Sequence, residues 1–177
     1  VRNIFFMRYI PFTFLILLAC GQSKQRTITT DEKLTDFDKF VKTFDKYGST
    51  IPVESLVHFL QVDTIDMEHR TYSTIKKLEF SQDILGLLYK MQCQAGGQCG
   101  ASYLVIYNND QFVDRLEIEH EYADAGFENR LNYKINGNKI ELNLQISDYN
   151  DDDEGNIIID KKTDSTFHYL VDLKSGR

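Results

Sequence analysis

Two apolar runs of period two, facing each other across a turn signal, constrain the fold more than any other feature of this chain. Ile140, Leu142, Leu144 and Ile146 alternate with Lys139, Glu141, Asn143 and Gln145, and Leu131, Tyr133 and Ile135 alternate with Arg130, Asn132 and Lys134. Successive side chains of a strand point to opposite faces, so each run reads as a strand with one buried face. Between the runs lies Asn136-Gly137. Both residues accept left-handed backbone, which makes the pair the strongest short hairpin signal.

Other segments extend the pattern. Phe112, Leu116, Ile118 and Tyr122 read as one face of a further strand, and Phe167, Tyr169, Val171 and Leu173 as another near the end of the sequence. Leu85–Met91 and Tyr103–Tyr107 are apolar on both faces, which places them centrally in a sheet. Asn108-Asn109-Asp110 supplies a turn between two of these strands. Ten Tyr and 12 Phe, with no Trp, fit a strand-rich core. Ahead of the strands one segment has helical period: Leu34, Phe37, Phe40, Val41, Phe44 and Tyr47 recur at three and four residues. Thr29 and Glu32 have capping-box spacing before it, and Gly48 stands where it would end. Pro52 sets an extended start to the next stretch, in which Glu54–Leu60 has room for a helical turn. The pattern predicts an α+β fold. An N-terminal amphipathic helix precedes a mainly antiparallel meander of about seven strands, packed against the helix or curled around it.

The N-terminal residues have a different character. Ile10-Pro11-Phe12-Thr13-Phe14-Leu15-Ile16-Leu17-Leu18 is an apolar run flanked by Arg2 and Arg8. It has the length of a secretory leader's apolar core and falls far short of the roughly 20 residues that span a bilayer. Met7 is a candidate translation start. Leu17-Leu18-Ala19-Cys20, followed by Gly21, resembles the lipobox of bacterial lipoproteins. The resemblance implies a signal peptide over residues 1–19, cleavage before Cys20, diacylglycerol on its thiol and acylation of the new amine. At about 0.8 kcal/mol per buried methylene, several acyl chains such as palmitate hold a protein to a membrane. In lipoproteins of this type, Asp after the Cys signals retention in the inner membrane. Gly21 stands there instead, so the resemblance implies the outer membrane, and Gly21-Gln22-Ser23-Lys24-Gln25, lacking acid, favours its periplasmic face. Residues 20–29 read as a lipid-anchored tether and 30–177 as one globular domain. The layout is similar to that of many small lipoproteins of Gram-negative envelopes.

Charge limits the partners. The sequence carries 20 Lys and Arg against 27 Asp and Glu, a net charge of −7, and loss of Arg2 and Arg8 with the leader would take it to −9. A phosphate backbone needs a clustered basic face, so nucleic acid is not an expected partner. The anticipated partners are the membrane, through lipid, and a basic envelope protein.

Five groupings carry possible chemistry. With Cys20 lipidated, Cys93 and Cys99 are the two remaining thiols, and the oxidising compartment favours a disulfide between them across a glycine-bearing loop. Asn150, Asp152 and Glu154 fall on the first, third and fifth positions of a calcium loop. Lys161 occupies the twelfth, where two carboxylate oxygens are needed, and strands rather than helices flank the segment. A solvated acidic hairpin loop is the favoured reading, with no cofactor expected and calcium the one alternative. Glu117, Glu119 and Glu121 are read as one strand face, offset by Arg130 and Lys134 on the next strand, with His120 on the other face beside Leu116 and Ile118. That acidic face is the candidate interaction surface. His120-Glu121-Tyr122-Ala123-Asp124 ends in Asp and lies on a strand, whereas the H-E-x-x-H zinc motif needs a helix. Gly100-Ala101-Ser102 lacks the closing glycine of a nucleophile elbow. His58, His69 and His168 show no metal-ligand spacing. The expectation is a non-catalytic binding protein of the envelope. The alternative is a glycan-binding or hydrolytic domain using Tyr and carboxylates.

Overall fold

The computed structural model describes residues 34–94, 100–124, 126–151 and 157–177, all within the unit Lys33–Arg177. Seven antiparallel strands form one sheet in chain order, β1 (Arg70–Glu79), β2 (Ile84–Cys93), β3 (Gly100–Asn108), β4 (Gln111–Asp124), β5 (Phe127–Asn136), β6 (Lys139–Asp151) and β7 (Ile157–Leu170). The sheet is an open meander whose edges are β1 and β7. Ahead of it lie α1 (Asp36–Lys42), continued by a 3-10 turn at Thr43–Asp45, and α2 (Val53–His58).

The described helix α1 is shorter than the apolar stripe. Thr35 caps it: its hydroxyl accepts from the Asp38 amide at 3.1 Å, and the Asp38 carboxylate accepts from the Thr35 amide at 2.9 Å. Thr29 and Glu32, the pair read as a cap from the sequence, lie outside the described residues. At the other end the Thr43 hydroxyl donates to the Phe40 carbonyl, tightening the last turn, and Lys46 is extended. Phe37, Phe40 and Phe44 are buried, whereas Tyr47 is 76% exposed.

Two apolar layers lie on the sheet. In the first, Phe37, Phe40, Ile51, Leu56 and Leu60 cover Tyr72, Leu87, Tyr89, Val105 and Tyr107. Phe40 and Phe59 stack at 4.7 Å, and the Tyr107 hydroxyl donates to the Phe59 carbonyl at 2.7 Å, so a buried phenol finds its partner. The second layer joins Ile84 and Leu88 of β2, Leu104 and Ile106 of β3, Ile118, Leu131, Ile140 and Leu142, together with Val171 beyond β7. β2 and β3 thus bury both faces, as their unbroken apolar runs require.

The hairpin between β5 and β6 is present, but its turn is displaced by one residue from Asn136-Gly137. Asn136 pairs with Lys139, so Gly137 and Asn138 form the turn, with φ +59° at Gly137. This register sets Ile135 against Ile140, Tyr133 against Leu142 and Lys134 against Glu141. A turn centred on Asn136-Gly137 would set Lys134 against Lys139 and leave Ile135 facing Asn138. Cross-strand pairing therefore decides the register. Asn109 and Asp110, at φ +47° and +64°, make the turn from β3 to β4.

Two bulges in β4 break the single face expected of Phe112, Leu116, Ile118 and Tyr122. The register shifts between Phe112 and Asp114 and again between Glu117 and Glu119. Phe112 therefore packs on the first layer, Leu116 and Ile118 join the second, and Tyr122 is exposed. Residues 111–120 of β4 pair with β3, residues 120–124 pair with β5, and His120 alone belongs to both ladders.

The two sheet edges differ. On β1, the Gly48 amide donates to the Thr74 carbonyl at 2.8 Å, the Ile51 amide donates to the Tyr72 carbonyl, and the buried Thr74 hydroxyl donates to the Lys46 carbonyl. The connecting segment thereby covers half of that edge. β7 pairs with β6 and with no other described strand. The expected half-buried face of Phe167, Tyr169, Val171 and Leu173 is corrected accordingly. Phe167 and Tyr169 are exposed on this edge strand, and Val171 is buried only after β7 has ended.

Candidate functional site: a polar cleft at the second bulge of β4

A polar cleft of about 620 Å³ lies beside the bulge at Ile118. Lys90 and Gln92 of β2, Ser102 of β3, Glu119 and Glu121 of β4, and Arg130 and Asn132 of β5 line it. Ser102 is fully buried and donates to the Glu119 carboxylate at 2.6 Å. Arg130 bridges Glu121 at 2.7 Å and Glu128 at 2.8 Å, and the Tyr149 hydroxyl donates to the other oxygen of Glu128 at 2.6 Å. The Glu121 bond leads in holding the Arg130 guanidinium above its ordinary pKa, and the Glu128 bond does the same for the Tyr149 phenol.

Glu117, Glu119 and Glu121 do not form one acidic face. Glu117 is in register with Tyr103 and Glu119 with Ser102, and these β3 neighbours point to opposite faces. His120 is likewise not beside Leu116 and Ile118. Its Nδ1 meets Glu117 Oε1 and its Nε2 meets Asn129 Oδ1 at 3.0 Å, so both ring nitrogens are engaged. Each of the three glutamates has its own partner, respectively His120, Ser102 and Arg130. The exposed Arg130–Glu121 pair contributes little stability, so its main effect is to neutralise Glu121 locally. Lys134 pairs across the sheet with Glu141 rather than with β4.

Among the described residues the cleft brings together carboxylates, amides and cations, and none of them pairs a free nucleophile with a base. Ser102 Oγ is buried with its proton directed to Glu119, and the His120 ring, which also lines the cleft, is engaged by Glu117 and Asn129. His58 lies on α2, His69 ahead of β1 and His168 on β7, 3.9 Å from Glu141. Among the described residues no group of three His, Cys, Asp or Glu is placed to hold a metal ion, and no helix is long and apolar enough to cross a membrane.

Cys93, on the cleft wall, is disulfide-bonded. Cys20 and Cys99 lie outside the described residues. So do Asp152 and Glu154 of the calcium reading, while Asn150 is exposed on β6 opposite Ile158. Lys90 and Gln92 carry no signal in the sequence reading, where Ser102 enters only through an incomplete nucleophile elbow and Asn132 only as a polar-face residue. One signal was available, a lone Ser inside the apolar run of β3, since a buried hydroxyl needs a partner. Compared with protein-family models, curated proteins and solved structures, the chain matches none.

Proposed function

We propose that the protein is a lipid-anchored component of the cell envelope, held through acylated Cys20, whose domain binds a protein partner non-catalytically along the free edge of β7. The observation that carries this reading is the exposure of that edge. β7 runs for 14 residues, with Ile157 75% exposed, Ile159 58%, Phe167 45% and Tyr169 44%. A long apolar edge strand presents unpaired amides and carbonyls to any extended chain, and main-chain pairing with side-chain pockets is a recurrent mode of recognition. The other edge, β1, is partly covered by the protein's own segment.

The finer architecture belongs to the same proposal. We infer that the sheet curls at His120, where β4 passes from the β3 ladder to the β5 ladder. Curling explains how second-layer residues of β2 and β3 meet those of β5 and β6 with no described helix above them. It also accounts for the tail beyond β7, where the Lys174 carbonyl accepts from Asn108 and Gly176 lies against Ile84, Ile106 and Val113. Cys93 is proposed to pair with Cys99 as a short structural clamp between β2 and β3. Non-reducing peptide mapping would show the 93–99 crosslink, and a Cys93–Cys20 peptide would exclude it.

The test is crosslinking capture from intact cells. Ile159→Lys and Phe167→Lys, both at exposed positions, abolish capture of the partner while leaving the melting temperature unchanged. Capture indifferent to both substitutions refutes the β7 reading. Cys20→Ser moves the protein out of the membrane fraction, and its retention there refutes the anchor. The glycan-binding or hydrolytic alternative would use the polar cleft, whose described lining contains two carboxylates but neither Phe nor Tyr. A basic partner on the acidic strand gains little support, because each of Glu117, Glu119 and Glu121 is already engaged.

A further inference from the structure

On the opposite side of β3 from the polar cleft, two guanidinium groups and three phenols surround a niche of about 50 Å³. Arg70 and Tyr72 of β1, Tyr89 of β2, Tyr103 of β3 and Arg115 of β4 line it, with Val62 and Met91 as its apolar wall. The rings are ordered across three adjacent strands: Tyr72 and Tyr89 lie 6.3 Å apart, and Tyr89 and Tyr103 stack at 5.2 Å. The Arg115 guanidinium sits over the Tyr103 ring, 5.7 Å from its centre, which fixes the plane of the fork. Burial raises the pKa of the Tyr89 phenol, and the neighbouring Arg115 opposes that rise, so cation and hydroxyl face each other.

We propose that this niche binds a single small oxyanion of the phosphate or sulfate class. Its size fits the assignment, since about 50 Å³ holds roughly three to five water-sized groups, enough for one tetrahedral oxyanion and too little for a sugar or a nucleobase. Its chemistry fits as well. Guanidinium forks and phenolic hydroxyls are donors to oxyanions, and the described residues that line the niche include no carboxylate. Glu117 is in register with Tyr103, but its carboxylate is bound by the His120 ring. In a chain of net charge −7, the Arg115 guanidinium set between Tyr89 and Tyr103 runs against the overall field. It forms a local positive site independent of the β7 edge.

The test is calorimetric titration of the intact protein with inorganic phosphate, and in parallel with sulfate and with glycerol 3-phosphate, in chloride buffer. Saturable binding of phosphate or sulfate is expected. Arg115→Gln should weaken it by about tenfold or more, since it removes a charge-assisted contact, while Lys42→Gln, an equal loss of charge far away on α1, leaves it unchanged. Tyr103→Phe keeps the ring and removes one donor, and serves where Arg115→Gln lowers the melting temperature. Tighter binding of glycerol 3-phosphate assigns the niche to the phosphate group of a larger ligand, and preference for the inorganic ions assigns it to the free anion. Absence of saturable heat with all three anions overturns the proposal, as does binding unaltered in folded Arg115→Gln and Tyr103→Phe.

Discussion

Replacing Gly86 with Ala tests whether the second apolar layer is packed as tightly as its geometry indicates. Gly86 lies within β2, opposite Leu78 on β1 and Ile106 on β3. A Cβ built there would stand 2.6 Å from Phe80 Cε2, 3.1 Å from Leu104 Cδ1 and 3.4 Å from Leu78 Cβ. Its φ is not in the left-handed region, so backbone alone would favour alanine by about 0.5–1 kcal/mol. Against that, overpacking a filled core costs about 1–3 kcal/mol. The Phe80 ring must swing away, and the fully buried Leu104 has no room to yield. The net expectation is a loss of about 1–2 kcal/mol, or about 2–8 °C in melting temperature for a domain of this size. Urea unfolding is the assay, read as a lower midpoint at unchanged slope. The double variant Phe80→Leu/Gly86→Ala separates the contact from everything else. Phe80→Leu should cost less when Gly86→Ala is already present than in the unsubstituted protein, with a coupling of about 0.5 kcal/mol or more. An unchanged or raised midpoint for Gly86→Ala, or strict additivity in the double variant, would refute the reasoning.

Three further outcomes follow from individual contacts. Tyr107→Phe leaves the Phe59 carbonyl without its 2.7 Å donor between α2 and β3, and thermal melting should show a loss of about 1–2 kcal/mol; an unchanged midpoint would mean that water replaces the phenol. Ser102→Ala strips the half-buried Glu119 of its 2.6 Å donor, which should cost about 1–2 kcal/mol, and the added Glu119→Gln should recover part of that loss. The Thr35 hydroxyl, followed by its amide, holds the Asp38 carboxyl below its ordinary 3.8. A depressed folded pKa contributes stability that is complete above the unfolded value and is lost as pH falls through the folded one. The α1 cap should therefore weaken only below about pH 4. Amide exchange at the start of α1 would report this, and Asp38→Asn should flatten the response.

The hairpin between β5 and β6 was legible because alternation, turn residues and charge pairing all act within neighbouring residues. Its exact turn was not, since both turn positions keep the alternation of the two strands and only the Ile135–Ile140 and Lys134–Glu141 pairings separate them. β4 shows where local reading fails. Its alternation assumes an unbroken ladder, whereas two bulges send Phe112 and Leu116 to different layers and set Glu117 and Glu119 on opposite faces. A bulge is decided by how the partner strands pack, and no residue type in Glu117–Glu121 demands one. β7 misled for a related reason. Phe167 and Tyr169 alternate with polar residues as a half-buried strand would, and periodicity carries no information on whether a neighbour arrives to cover the face.

Both candidate surfaces on β3 trace back to that second bulge. With an unbroken ladder, Glu117, Glu119 and Glu121 would stand together beside Tyr103, and their charge would fill the space above the tyrosines. The inserted residue, Ile118, instead goes into the second layer, leaves Glu117 beside His120 and carries Glu119 across to Ser102. Arg115, two residues before Glu117, remains on the tyrosine side in register with Val105. One extra residue thus separates the charges of a single strand. Acids go to the polar cleft with Lys90 and Arg130, and a cation is left to face Tyr89 and Tyr103. Deleting Ile118 would close the ladder with Glu117 still against Tyr103 and Glu119 still against Ser102, and so would bring no second carboxylate to the arginine side. If the pairing of Glu119 with Ser102 is what keeps its charge off the niche, anion binding should survive in that variant wherever the domain remains folded, and its loss there would refute the argument.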